Sequence, residues 1–153
     1  VLALAIASVT AGCGDSGGGD GAPEFGEAAD GGQQAEAERA LTTYLDARAA
    51  GNWQAACGQL AADLHMRLAR FGAVTGQGEG GGCAAAMETF TAKAARSIRR
   101  EQAEVEVGEL RVKGKQGHLS YTDAESVPLS MPLLREGGEW KVNALLGAAG
   151  AGS

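Results

Sequence analysis

Three cysteines, two histidines and two tyrosines are the side chains of this 153-residue chain with the most chemical scope. Cys13 closes an apolar run, while Cys57 and Cys83 fall inside the stretch that reads as folded. A thiol pair of that kind closes a disulfide in an oxidising compartment; two buried free thiols, or a metal or redox pair, are the other readings. The spacing is neither that of a zinc site nor that of a Cys-x-x-Cys motif. His65 and His118 stand far apart with no carboxylate cluster near either, so they read as surface or turn histidines and no metal is expected. A general base must sit within hydrogen-bond reach of the proton it takes. Asp46, His65, Tyr121 and Asp123 are the candidates, although Tyr44 and Tyr121 read more readily as core rings whose hydroxyls find a partner. The glycine-rich runs neither follow a strand nor open a helix, which removes phosphate-loop readings, and no cofactor is expected.

The first residues give an address. VLALAIASVTA, residues 1–11, is apolar, too short to span a bilayer and ends in small side chains, as the apolar region of a secretory signal does. It carries no initiator Met and no basic segment, so a truncated start is expected. The run Thr10-Ala11-Gly12-Cys13 resembles a bacterial lipobox, with Thr10 where Leu or Val is usual and Val9 one place earlier. A plain signal with a chance cysteine, or a buried N-terminal helix, are the competing readings. The lipobox reading makes residues 1–12 a signal peptide. It makes residues 13–33 a lipidated Cys13 with a flexible Gly/Asp/Ser/Ala tether, in which Phe25 is an incidental ring. The expected place is outside the cell, anchored to the outer face of the membrane. Export also favours the disulfide, because setting Cys13 aside leaves Cys57 and Cys83 as an even pair. Charge excludes one partner class: Lys+Arg 13 against Asp+Glu 19 gives −6, which repels polyphosphate, so no nucleic acid is expected.

The elements that would position these residues follow from periodicity. Residues 34–50 read as an amphipathic helix with Ala37, Ala40, Leu41, Tyr44, Leu45 and Arg48 on one face. Gly51 ends it and Asn52 caps a short helix bearing Trp53, Ala56, Cys57 and Leu60. Asp63 reads as the cap of a third short helix, and the glycines of 74–82 as a loop. A fourth helix is expected over 83–100, with Cys83, Ala86, Met87, Phe90, Ala94 and Ile98 as its stripe. Its basic end, Lys93, Arg96, Arg99 and Arg100, suits the helix dipole. From Ala103 the period becomes two: a long strand with a bulge at Gly108, a strand through Leu119 and Tyr121, and a third through Val127, Leu129, Met131 and Leu133. Pro128 and Pro132 mark that third strand as an edge or as interrupted. A hairpin turn at Glu136-Gly137-Gly138-Glu139 leads to a last strand with Trp140 and Val142, and residues 147–153 read as a disordered tail. Helices followed by an antiparallel meander predict an α+β fold, N-terminal helices on a curved four-stranded antiparallel sheet, over residues 34–146.

Several runs carry a resemblance. ALTTYLDARAAGNWQAAC, the later Cys83-Ala84-Ala85-Ala86 and REGGEWKV resemble small exported lipoproteins of high-GC Gram-positive bacteria. Those carry a cone-shaped domain of the nuclear transport factor 2-like superfamily, which also holds ketosteroid isomerase and the polyketide cyclases. The resemblance implies a cone-shaped roll whose pocket would be lined by Tyr44, Trp53, Phe90, Tyr121 and Trp140. It also implies, in the isomerase branch, a tyrosine on the first helix, here Tyr44, working with a carboxylate. The run Leu64-His65-Met66-Arg67-Leu68 has no carboxylate where that base is expected. The expected role is therefore non-catalytic binding of a small ligand or an envelope protein, with homodimerisation through the sheet as a further possibility. The alternative is an isomerase- or cyclase-type enzyme using Tyr44 with Asp46 or His65.

Overall fold

A computed structural model describes residues 25–75, 82–91, 94 and 96–149. Cys13 and most of the expected tether lie outside the described residues, as does Lys93. The order of elements is β1 (Glu27–Ala28), α1 (Gly31–Ala50), α2 (Trp53–Gly58), α3 (Ala62–Thr75), α4 (Gly82–Thr91), α5 (Arg96–Glu101), β2 (Glu106–Lys113), β3 (Gln116–Thr122), β4 (Pro128–Glu136), β5 (Glu139–Val142) and β6 (Ala148–Ala149). The fold is α+β, with helices first and a sheet of antiparallel strands after them.

α1 is 20 residues long. Asp30 caps it by accepting from the Gln33 N–H at 2.8 Å. Gly51 ends it in the left-handed region, φ 76, where a Cβ would be strained, and its N–H reaches back to the helix carbonyls. Asn52 then caps α2 through the Ala55 N–H. α3 is capped differently from the sequence reading. Asp63 lies inside its first turn and pairs with Arg67. The Ala62 N–H is met instead by the Glu136 carboxylate from the end of β4, at 3.0 Å. The helix expected over 83–100 is two helices. The Thr89 and Thr91 hydroxyls bond back to Ala85 O and Met87 O, a competition that loosens a helix end, and α4 stops at Thr91. Arg96, Arg99 and Arg100 belong to α5.

The sheet runs β1-β2-β3-β4-β5, with β6 on β4, so six strands stand where four were expected. β1 and β6 have two residues each and lie in segments read as tether and tail. β2 slips register between Val107 and Leu110, which places the bulge at Gly108. Gln34, in the first turn of α1, closes that gap. Its side-chain amide donates to Gly108 O at 2.8 Å and accepts from Leu110 N at 2.7 Å, as a neighbouring strand would. β4 is neither an edge nor interrupted: it pairs with β3 without a break from Pro128 to Leu134 and with β5 and β6 on the other side. Pro132 is tolerated because it falls between the last residue of β5 and the first of β6. Its carbonyl accepts from Asn143 N at 2.9 Å, so its ring nitrogen faces the same flank, where no ladder bond is required. The outer edge of β5 is covered by residues 59–61, with Ala61 N bonding Val142 O at 2.9 Å and Val142 N bonding Gln59 O at 2.8 Å.

The core lies between α1, α4 and the sheet. Leu41, Tyr44, Met87, Leu110, Leu119, Met131, Leu133 and Val142 are fully buried, each worth about 1.5–3 kcal/mol. Val105 and Leu129 pack against them half-buried. Cys57 and Cys83 are joined, tying α2 to α4. Phe90 departs from its expected stripe: it is half exposed, and its ring stacks on Phe71 of α3 with centroids 4.9 Å apart.

Candidate functional site

Tyr44, on the inner face of α1, reaches the far end of the chain. Its hydroxyl donates to the Leu145 carbonyl at 2.9 Å. Burial pushes its pKa up to about 12, with the charge of Arg48 pulling the other way. Tyr121 of β3 lies close by. Burial raises it too, while a backbone hydrogen bond from Gly147 and the charge of Arg48 lower it. A Cβ at position 147 would collide with the Tyr121 hydroxyl, so Gly147 is what allows the backbone to approach.

Arg48 completes the cluster. It lies one turn beyond Tyr44, and its guanidinium carbon stands 5.5 Å from the Tyr44 ring centroid. It is only 5% exposed, and its Nε is buried with no hydrogen-bond partner among the described residues. The ion pairs of the described residues use Arg67, Arg111, Arg135 and Lys141, and none reaches Arg48. The carbonyl end of α1 and the Tyr44 ring supply part of what a buried cation needs.

The other residues singled out from the sequence are dispersed. Asp46 is exposed on the outer face of α1, and His65 is exposed on α3. Asp123 is committed to the β3–β4 turn, where its Oδ1 accepts from the Glu125 and Val127 N–H groups at 3.0 and 2.9 Å. His118 is exposed and packs at a tilt against Phe25, centroids 4.2 Å apart, so Phe25 is fastened against β3. Arg111 holds the same segment through Phe25 O and Gly26 O. Trp53 lies under the Arg99 guanidinium, and Trp140 is buried under that of Arg135. Of the five rings expected to line a pocket, Tyr44, Tyr121 and Trp140 belong to the buried core, Trp53 packs against it, and Phe90 is half exposed on α4.

One hollow lies on the outside of the domain. It is an open groove of about 350 Å³ between α1 and the β4–β5 hairpin, with Glu36, Arg39 and Thr43 on one wall and Glu139 and Lys141 on the other. Ala40 and Trp140 form its floor. Glu36 leans to Arg135 at 3.5 Å and Glu139 to Lys141 at 3.0 Å, so its charges alternate in sign.

No family model, curated protein or solved structure matches the chain. Among the described residues, no three His, Cys, Asp or Glu converge as a metal site would require, and no helix is long and apolar enough to cross a membrane. Sequence reasoning placed Arg48 on the apolar face of α1 without giving it a role. A charged residue one turn after Tyr44 on that face was the signal. Nothing in the sequence sets the groove charges apart from ordinary surface residues.

Proposed function

We propose that this chain is an exported lipoprotein, anchored through Cys13 to the outer face of the cell membrane, whose domain binds a partner without catalysing a reaction. The domain is read as a cone-shaped roll of the nuclear transport factor 2-like kind. What supports the roll is α1, which packs on both β2 and β5 although these lie on opposite sides of the sheet path. A sheet curled around the helix brings both strands to it. What supports export is the Cys57–Cys83 bridge, which belongs to an oxidising compartment.

The single observation that carries the non-catalytic reading is the disposition of Tyr44. Its hydroxyl is spent on Leu145 O, while Asp46 and His65 face solvent elsewhere. A proton relay needs donor and acceptor at one place. The outer groove, with its alternating charges and a tryptophan floor, suits an extended segment of an envelope protein.

The test uses the whole chain in its own cells. Cys13→Ser is expected to move the protein from the membrane fraction to the medium; unchanged retention overturns the anchor. Native mass spectrometry of the wild type, taken from its membrane, is expected to show a partner that comes off chemically unchanged. A partner converted on incubation overturns the non-catalytic reading.

A further inference from the structure

Arg48 is a cost that the fold offsets only in part, through the Tyr44 ring and the carbonyl end of α1. An arginine 5% exposed overall, with its Nε buried and unpartnered and no carboxylate of the described residues paired to it, is held where a neutral side chain would sit more easily. Its guanidinium carbon lies 5.5 Å from the Tyr44 ring centroid, and its charge acts on both tyrosines. The segment 143–149 that follows β5 closes on the two hydroxyls: Leu145 O accepts from Tyr44 and Gly147 lies against Tyr121.

That segment is lightly fastened. It is held by Asn143 N on Pro132 O, by the Tyr44 and Tyr121 hydroxyls, and by the two-residue pairing of Ala148–Ala149 with Leu129 and Ser130. Leu146 is 60% exposed, and Ala148 and Ala149 are exposed as well. Segments with few buried contacts and a short ladder open at low free energy. The Leu145 carbonyl oxygen occupies the position of a hydrogen-bond acceptor facing Tyr44, which a carboxylate oxygen can fill equally well.

We propose that Arg48, Tyr44 and Tyr121 form a binding site for a small carboxylate-bearing molecule, which enters when the strap 143–149 lifts and takes the place of the Leu145 carbonyl. The guanidinium offers its planar fork to the two carboxylate oxygens, and the hydroxyls give each oxygen a further donor. A monoanion fits better than a phosphate, because the surrounding rings and aliphatic side chains penalise a second charge. The site is separate from the outer groove and does not depend on the reading of the groove or of the anchor.

The test is thermal unfolding of the full chain in sodium acetate or sodium benzoate against sodium chloride at matched ionic strength. At about tenfold over its dissociation constant, a bound carboxylate raises the melting temperature by about 5 °C. That rise is expected in the wild type and absent in Arg48→Met, whose side chain keeps the bulk and removes the charge. Tyr121→Phe, which keeps the ring, is expected to show a reduced rise and serves if Arg48→Met does not fold. Amide exchange at 145–149 is expected to speed up with benzoate bound. A wild type indifferent to both salts, an equal rise in wild type and variants, or binding that leaves the exchange at 145–149 unchanged overturns the proposal.

Discussion

Tyr44 and Leu145 are 101 positions apart, and a 2.9 Å hydrogen bond from the tyrosine hydroxyl to the leucine carbonyl joins them. That bond fastens the strap after β5 to the helix at the centre of the core. Tyr44→Phe keeps the buried ring and leaves a part-buried carbonyl without its donor. The expected loss is about 1–2 kcal/mol in urea unfolding. Faster amide exchange confined to 143–149 would distinguish strap release from general weakening, and unaltered exchange there would contradict the fastening role.

Alkaline pH acts on the same bond. Burial holds the Tyr44 pKa at about 12, above the usual value of 10. A folded-state pKa that is raised favours the protonated native form. Its contribution is therefore whole below about pH 10 and is lost as pH climbs through about 12. The gap corresponds to roughly 2–3 kcal/mol. Tyr121 is raised for the same leading cause and adds to the loss in that window. Urea midpoints taken from about pH 9 to about pH 12 are expected to fall steeply in the wild type and less in Tyr44→Phe. Parallel falls would remove Tyr44 as the titrating group.

The strap is also fitted to Tyr121 through Gly147. Gly147→Ala places a methyl group against the tyrosine hydroxyl. Overpacking of this kind costs about 1–3 kcal/mol. Deleting the hydroxyl removes the nearest clash, so Tyr121→Phe/Gly147→Ala is expected to recover much of that loss. A double-mutant cycle reads the coupling directly, and purely additive effects would sink this account.

Local chemistry was legible in the sequence where one residue type settles the geometry. Gly51-Asn52 ended one helix and capped the next, Gly137-Gly138 made the hairpin, and the alternation of Leu119, Tyr121, Met131 and Leu133 marked strands with one buried face. What escaped depends on partners distant in sequence. Pro132 reads as an edge residue until β5 and β6 are seen to leave a gap opposite it. Gln34 looks like any surface glutamine until the bulge at Gly108 needs its amide. Phe90 continues a helical stripe, yet its neighbour in space is Phe71. Arg48 was visible on the apolar face, but its isolation from any described carboxylate is a property of the packed molecule.

Phe90 and Met87 make a pair of opposites on one helix. Met87 is fully buried and Phe90 half exposed, although sequence hydrophobicity ranks both as core. Met87→Ala is expected to cost about 2–5 kcal/mol through the cavity it leaves. Phe90→Ser gives up chiefly the stack on Phe71, a loss of about 0.5–1.5 kcal/mol. Chemical denaturation of the two variants would settle the ranking, and a Phe90 effect as large as that of Met87 would mean the aromatic pair is part of the core.

The Cys57–Cys83 bridge encloses α3 within its loop, and this decides which part of the molecule reduction releases first. α3 packs chiefly on α4, and α4 is tied to α2 by packing and the disulfide while Ala86 and Met87 enter the core. Met66, Phe71 and Val74 on α3 are substantially exposed, and the helix meets the core through Leu68, flanked by Leu64 and Ala69. Closing a loop of 26 positions is worth about 3.5 kcal/mol in chain entropy. Reduction, or Cys57→Ala with Cys83→Ala, is thus expected to lower stability by up to that amount. Native-state hydrogen exchange after reduction should show α3 and α4 opening ahead of the sheet, with Leu119 and Met131 protected to near the global free energy. If the strands and the α3–α4 pair opened together, the bridge would be stabilising the whole fold through its unfolded state and would have no local role as a clamp.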